Sequence, residues 1–218
     1  MHPTIREALG VLWPRECAGC GRPDHGVCAR CAAAFATSSA GVLGRDDDTP
    51  VVWAATYEGV ARDVVLAAKE HGRRCALRVL GSALRRLVDE TWACEAAPVL
   101  AVLVPASREG TRRRGFVPLR VLARRARLPC VELVQTGGGQ QKRRGRGERM
   151  RRAALRTRPG DAGRLVGARV VVLDDVATTG ATLREAVRAT RAGGAHVVAA
   201  VVVARVPRHA RAAGGAWT

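Results

Sequence analysis

Asp174 and Asp175 stand side by side after the apolar run 170–173 and before the small-residue loop of Ala177, Thr178, Thr179, Gly180, Ala181 and Thr182. Two adjacent ionised carboxylates are strong acceptors for a vicinal pair of hydroxyls, such as those of a ribose. An amphipathic stripe of Leu183, Ala186, Val187 and Thr190 follows and stops at Gly193 and Gly194. The spacing predicts a helix from about Thr182, with Thr182 and Glu185 forming a capping box. Free amides of the first helical turn, threonine hydroxyls and the helix dipole together make a cradle for a monophosphate. Gly180 lets the backbone approach that phosphate closely. One turn of chain would grip a diol and a phosphate at once.

Cysteines form the second chemical cluster. Cys17 and Cys20 are separated by two residues, as are Cys28 and Cys31, and seven residues lie between the pairs. Two such knuckles can converge on one ion, and four thiolates suit tetrahedral Zn2+ in a closed, structural site. Two redox pairs are the rival reading, but a thioredoxin-like context is lacking. Cys75, Cys94 and Cys130 have no paired spacing and are expected to be buried free thiols.

The elements that must hold these clusters follow from periodicity. Residues 1–40 read as the four-cysteine module, 41–50 as a linker because of Gly41, Gly44 and three consecutive Asp residues, and 51–218 as the main domain. A module of that size, with few large apolar residues, would scarcely hold its shape without the metal. In the main domain a helix is predicted from Gly59 to about Glu70, and a second carries Leu77, Leu80, Leu84, Leu87 and Val88 on one face. The continuous apolar runs 99–104, 170–173 and 197–204 read as strands, and Leu119, Leu122, Ala123 and Ala126 mark a helix after Pro118. Alternating helices and continuous apolar strands indicate a parallel α/β sheet, with the 174–182 turn at its carboxyl edge, where ligands of open α/β proteins bind. Residues 135–152 contain five glycines and almost no apolar side chains, so they are expected to form a long mobile loop.

Composition bounds the partners. Lys plus Arg number 37 against 19 Asp plus Glu, a formal charge of +18. Anionic partners follow from this, or else a coding bias that fills solvated positions with arginine. With four Trp, one Tyr and two Phe, stacking platforms for single strands are scarce, so nucleic acid would be held through arginine and phosphate. The apolar run 192–204 contains His196 and is shorter than a membrane span, and the first ten residues lack the layout of a secretory signal. A cytoplasmic protein without membrane insertion is expected.

The thirteen positions from Val170 to Thr182 resemble the phosphoribosyl diphosphate motif of the type I phosphoribosyltransferases: four apolar residues, two acidic ones and a Thr/Gly loop. The order of a four-cysteine module, YEGVARDVVLAAKEHGRR, VPASREGTRRRGF, the segment 140–149 and this motif is similar to the ComF family, from Trp13 to Arg205. That family joins a zinc module to a phosphoribosyltransferase domain and includes a competence protein linked to DNA uptake. Two departures are visible. Val117 and Pro118 stand where the family has Asn-Gln after Arg-Gly-Phe, and Arg152 stands where it has the Asn of Glu-Arg-x-x-Asn.

The resemblance implies a ribose 5-phosphate ligand, chiefly phosphoribosyl diphosphate, with Mg2+ on the diphosphate held mainly by substrate oxygens and water. It places the diphosphate loop at 105–108, with Ser107 and Arg108 as ligands, and makes the 135–152 loop a hood carrying Lys142 and Arg149 to the phosphates. Lys69 and Arg73 would line the same mouth. Asp174, Asp175, Arg108 and Arg149 are the residues on which transfer would depend. Single-stranded DNA and a competence helicase are the macromolecular partners it implies. A transferase of small-molecule metabolism with an unknown acceptor is the alternative.

Overall fold

The computed structural model describes residues 16–23, 26–36, 41–46, 49–92, 99–135 and 155–207. Helix α1 (Ala29–Ala36) follows the cysteine knuckles, and strands β1 (Gly41–Asp46) and β2 (Thr49–Thr56) come next. Helices α2 (Gly59–Lys69) and α3 (Arg74–Trp92) precede β3 (Leu100–Leu103), then α4 (Arg108–Arg114), α5 (Pro118–Arg125) and β4 (Cys130–Gln135). The chain continues through β5 (Leu155–Thr157), a 3-10 turn (Pro159–Asp161), α6 (Ala162–Leu165), β6 (Arg169–Ala177), α7 (Ala181–Ala192) and β7 (His196–Arg205).

Seven strands among the described residues form one sheet in the order β1-β2-β7-β6-β3-β4-β5. The pairs β2/β7, β7/β6, β6/β3 and β3/β4 are parallel, and β1 and β5 close the two edges antiparallel. The continuous apolar runs are central: Val170 to Leu173 and Ala199 to Ala204 are all buried, as strands covered on both faces require. Leu77, Leu80, Leu84 and Leu87 of α3 are buried as their spacing predicts, and Val88 packs partly buried against the same core. Leu119, Leu122 and Ala123 of α5 are buried with them.

The segment read as a linker is a correction. Residues 41–46 are strand β1, with Val42 opposite Val52 and Leu43 opposite Val51, and residues 49 and 50 already belong to β2. Glycine and aspartate disfavour strands locally, but the free edge of β2 offers a ladder of unpaired backbone groups that outweighs propensity. Strands β4 and β5 were also not anticipated, because CVELVQ is short and Leu155–Thr157 is only three residues long.

The cysteine module sits against the main core. Phe35 of α1 is 1% exposed and belongs to the same apolar cluster as the leucines of α3. Ala18 and Val27 pack partly buried against that cluster, and Arg73 Nη1 donates to the Glu16 carbonyl at 3.0 Å. A Cβ at Gly26 would lie 2.5 Å from Cys75 Sγ, so that third-party thiol is wedged against the module. No helix among the described residues is long and apolar enough to cross a membrane.

Candidate functional site

Parallel pairing brings the ends of β3 and β6 to one edge of the sheet, Leu103 lying opposite Leu173 and the Val104 amide donating to the Leu173 carbonyl at 3.0 Å. From β3 the chain runs through Pro105 and Ala106 to Ser107, which caps α4: its Oγ accepts from the Gly110 amide at 3.1 Å. β6 is longer than its apolar run, extending through Asp174 and Asp175 to Ala177. The carboxylates therefore ride on the strand's last residues and inherit their aim from the ladder to β7, where Asp174 is opposite Val202.

Asp174 Oδ1 accepts from the Asp175 amide at 2.8 Å, and Asp175 Oδ1 accepts from the Val176 amide at 2.7 Å. Lys69 Nζ, at the end of α2, lies 2.9 Å from Asp175 Oδ2 and 3.0 Å from Oδ1. Burial pushes the Asp174 carboxyl up to about 7, the neighbouring Asp175 charge adds to this, and the Asp175 amide and the Lys69 charge only partly offset it. Burial alone would lower Lys69, but the Asp175 carboxylate outweighs it and holds the ammonium above its ordinary value. The site thus holds one carboxylate paired with a lysine and one, Asp174, whose burial favours its protonated form.

These groups line a cavity of about 460 Å3 in which Asp174, Asp175, Ser107 and Thr182 meet Lys69 and Arg114. The loop of Ala177, Thr178, Thr179, Gly180 and Ala181 leads directly from β6 into α7 at its rim, with Thr178 and Thr179 exposed. Gly180 is the N-cap, at φ 73° and ψ 1°, a left-handed conformation that glycine adopts without strain. Ala181 N lies 3.5 Å from Thr179 Oγ1. The capping box is a correction: α7 begins at Ala181 rather than Thr182 and has no side-chain cap. Glu185 is drawn away instead, accepting from Arg188 at 2.6 and 2.9 Å and from the Leu155 amide at 3.3 Å, because β5 lies across the helix.

Residues 110–213 match the family model described as the phosphoribosyl transferase domain. Over those residues the chain is similar to a phosphoribosyltransferase domain. None of the curated proteins searched matches its sequence. Among solved structures, adenine phosphoribosyltransferase from Leishmania donovani is similar at 16% identity and a TM-score of 0.47, over 77% of this chain and 75% of that one. The enzyme of the same name from Saccharomyces cerevisiae, complexed with an imino-altritol bisphosphate and adenine, is similar at 12% identity and a TM-score of 0.46, over 82% and 90%. That from Rhodothermus marinus is similar at 16% identity and a TM-score of 0.42, over 82% and 88%.

The adjoining ends of β3 and β6 bring Asp174, Asp175, Ser107 and Thr182 to one cavity. Arg108 opens α4, between Ser107 and Glu109, which do line the cavity. Lys142 and Arg149 lie outside the described residues. Arg73, expected at the mouth, turns instead to the Glu16 carbonyl of the cysteine module. Three lining residues were missed: Glu70, which pairs with Arg113, and Arg114, whose Nη1 donates to the Lys69 carbonyl at 2.5 Å. In sequence they are lost among many arginines, and only the Arg-Gly-Phe stretch marked Arg114.

In the cysteine module, the Sγ atoms of Cys17, Cys20, Cys28 and Cys31 all lie within 4.8 Å of one another, and those of Cys20 and Cys28 are 3.9 Å apart. Sulfurs about 3.8 Å apart are what a tetrahedral ion with ~2.3 Å bonds requires. The Cys28 amide donates to Cys17 Sγ at 3.2 Å and the Cys31 amide to Cys28 Sγ at 3.4 Å, the contacts that stabilise thiolates. Burial raises both Cys17 and Cys31. At Cys17 the amide donors overcome it and bring the thiol down to about 6, whereas Cys31 remains raised. The cluster can hold a metal such as zinc.

Proposed function

We propose that the cavity binds phosphoribosyl diphosphate and that the protein is a ComF-like factor of DNA uptake and processing. The observation that carries the first part is the meeting of an acidic pair, a left-handed glycine at a helix start and a serine-capped loop at one sheet edge. Asp174 and Asp175 accept the two ribose hydroxyls. The loop from Ala177 to Thr182 offers amides, threonine hydroxyls and the positive end of α7 to the 5-phosphate. Ser107 and Arg108 take the diphosphate, with Lys142 and Arg149 reaching it from the 135–152 segment. Mg2+ bound to the diphosphate would neutralise its charge as the bond to the anomeric carbon weakens. The four cysteines hold zinc and, through Phe35, fasten the module to the domain.

The DNA role rests on the family resemblance along the chain and on the formal charge of +18. Single-stranded DNA and a competence helicase are its partners in this reading, and the cytoplasm its place. A transferase acting on a small acceptor is the second reading, favoured by the completeness of the donor site. Thermal stabilisation by phosphoribosyl diphosphate with Mg2+ tests the pocket: wild type should shift and the Asp174→Ala, Asp175→Ala double variant should not. Absence of any shift in wild type would sink it. Where binding is present, diphosphate release on adding candidate acceptors separates the transferase from the binder.

A further inference from the structure

Asp175 is already engaged. Both of its carboxylate oxygens face Lys69 Nζ, at 2.9 and 3.0 Å, and these are the acceptors a ribose diol would need. The Lys69 side chain is 40% exposed and is the last residue of α2, so its four-carbon stem can swing while the helix stays in place.

Its backbone, by contrast, is clamped. Arg114 Nη1 donates to the Lys69 carbonyl at 2.5 Å, and Arg113 pairs with Glu70 one residue on. The Arg114 guanidinium rests on the first turn of its own helix α4, where a Cβ on Gly110 would lie 2.7 Å from Nη2 and 2.8 Å from Ser107 Oγ. Arg114 Nε is buried and unpartnered. The Ser107 loop and the Asp175 carboxylate are therefore joined by two cations, Arg114 and Lys69. Glu70, Glu109, Asp174 and Asp175 put more carboxylates in the lining than Lys69, Arg113 and Arg114 put cations. A diphosphate gains from this wall when a cation now held by a carboxylate is released towards it.

We propose that Lys69 is a displaceable latch, which holds Asp175 until a ribose diol takes that carboxylate and then moves its ammonium onto the diphosphate beside Ser107. The inference rests on the pocket reading above. Arg114 fixes the backbone about which the lysine swings. Lys69 is thus a positioning residue for Asp175 and a ligand for the leaving group.

The test is calorimetric titration of the full-length chain at fixed Mg2+ with ribose 5-phosphate, inorganic diphosphate and phosphoribosyl diphosphate. Lys69→Met should bind ribose 5-phosphate about two- to fivefold more tightly, the strength of a partly exposed ion pair. The same variant should bind diphosphate at least about tenfold more weakly, as loss of a charge-assisted contact implies. Opposite signs for the two probes are something a purely structural lysine would not produce. Asp175→Asn should lose ribose 5-phosphate yet bind diphosphate as well as wild type or better, and weaker diphosphate binding there would overturn the latch even if Lys69→Met misfolds. Parallel weakening of both probes by Lys69→Met also overturns the latch and leaves the pocket standing. Wild type binding none of the three overturns the pocket and the latch with it.

Discussion

Lys69 and Asp175 are separated by 106 positions in sequence, yet their charged atoms meet at 2.9 Å across the candidate site. The pairing ties the first helix of the main domain to the end of the central strand β6. It also distinguishes the two carboxylates: Asp175 faces the lysine, while burial and the Asp175 charge push Asp174 up to about 7.

That shift has a consequence for stability. The folded-state value of Asp174 lies above the ordinary carboxylate range, so its stabilising contribution is present at low pH and is lost as pH rises from about 4 through 7. Asp174→Asn abolishes that titration. Denaturant melts at pH 5 and pH 8 should show the variant gaining on wild type at the higher pH by on the order of 2 kcal/mol. An unchanged difference between the two proteins across that range contradicts the buried-carboxylate account.

Gly110 makes a second, more selective prediction. An added Cβ would press on Arg114 Nη2 and Ser107 Oγ, both ends of side chains able to turn away. Gly110→Ala should therefore leave stability within ~1 kcal/mol of wild type, since alanine also favours the helix. Diphosphate affinity should nevertheless fall, because the moved guanidinium no longer braces Lys69. A variant that melts far below wild type, or binds diphosphate normally, would show that the Arg114 contact is not part of the site.

Much of this site was legible in the sequence, for a physical reason. Val170 to Leu173 had to be a strand buried on both faces, and a small-residue loop followed by the Leu183 stripe had to turn into a helix at the carboxyl edge. What was not legible depended on partners far away in the chain. Glu185 fits a capping box locally, but β5 and Arg188 claim its carboxylate. Gly41 and Gly44 suggest a turn, but the edge of β2 recruits them into a strand. Arg114 and Glu70 look like solvated charges until α2 and α4 are brought side by side.

Removing the metal should unsettle more than the module. Phe35 is 1% exposed in the common core, so a module that loses its ion withdraws an aromatic side chain from beneath α2 and α3. Purified protein should carry about one zinc per chain, and Cys17→Ser or Cys28→Ser should release it. A loss of about 3 kcal/mol would lower the Tm by roughly 6–12 °C for a chain of this size. Well under one zinc per chain after gentle purification, or an unshifted Tm on chelation, counts against the four-thiolate site.

Phe35→Ala separates docking from metal binding. Truncating a fully buried phenylalanine costs about 3–5 kcal/mol where the surroundings cannot collapse. The variant should keep its zinc and melt well below wild type. If it melts with wild type, the module is not fastened to the domain in the way the packing implies.

The basic segment from Lys142 to Arg152 carries seven Lys and Arg residues and a single Glu. Replacing its basic residues with glutamine should weaken binding of single-stranded DNA across all sequences and flatten the dependence of log affinity on log salt. Affinity and slope that survive the change would move the DNA contact elsewhere on the surface.

The central claim, a ribose-phosphate cradle at the end of β6, is tested most directly by amide hydrogen exchange with and without phosphoribosyl diphosphate and Mg2+. The amides from Val176 to Arg184, which span the loop and the first turn of α7, should slow markedly on ligand addition, together with those of 106–110. In the Asp174→Ala, Asp175→Ala double variant the protection should vanish. Protection confined to other regions of the chain, or none in wild type at millimolar ligand, would contradict the account.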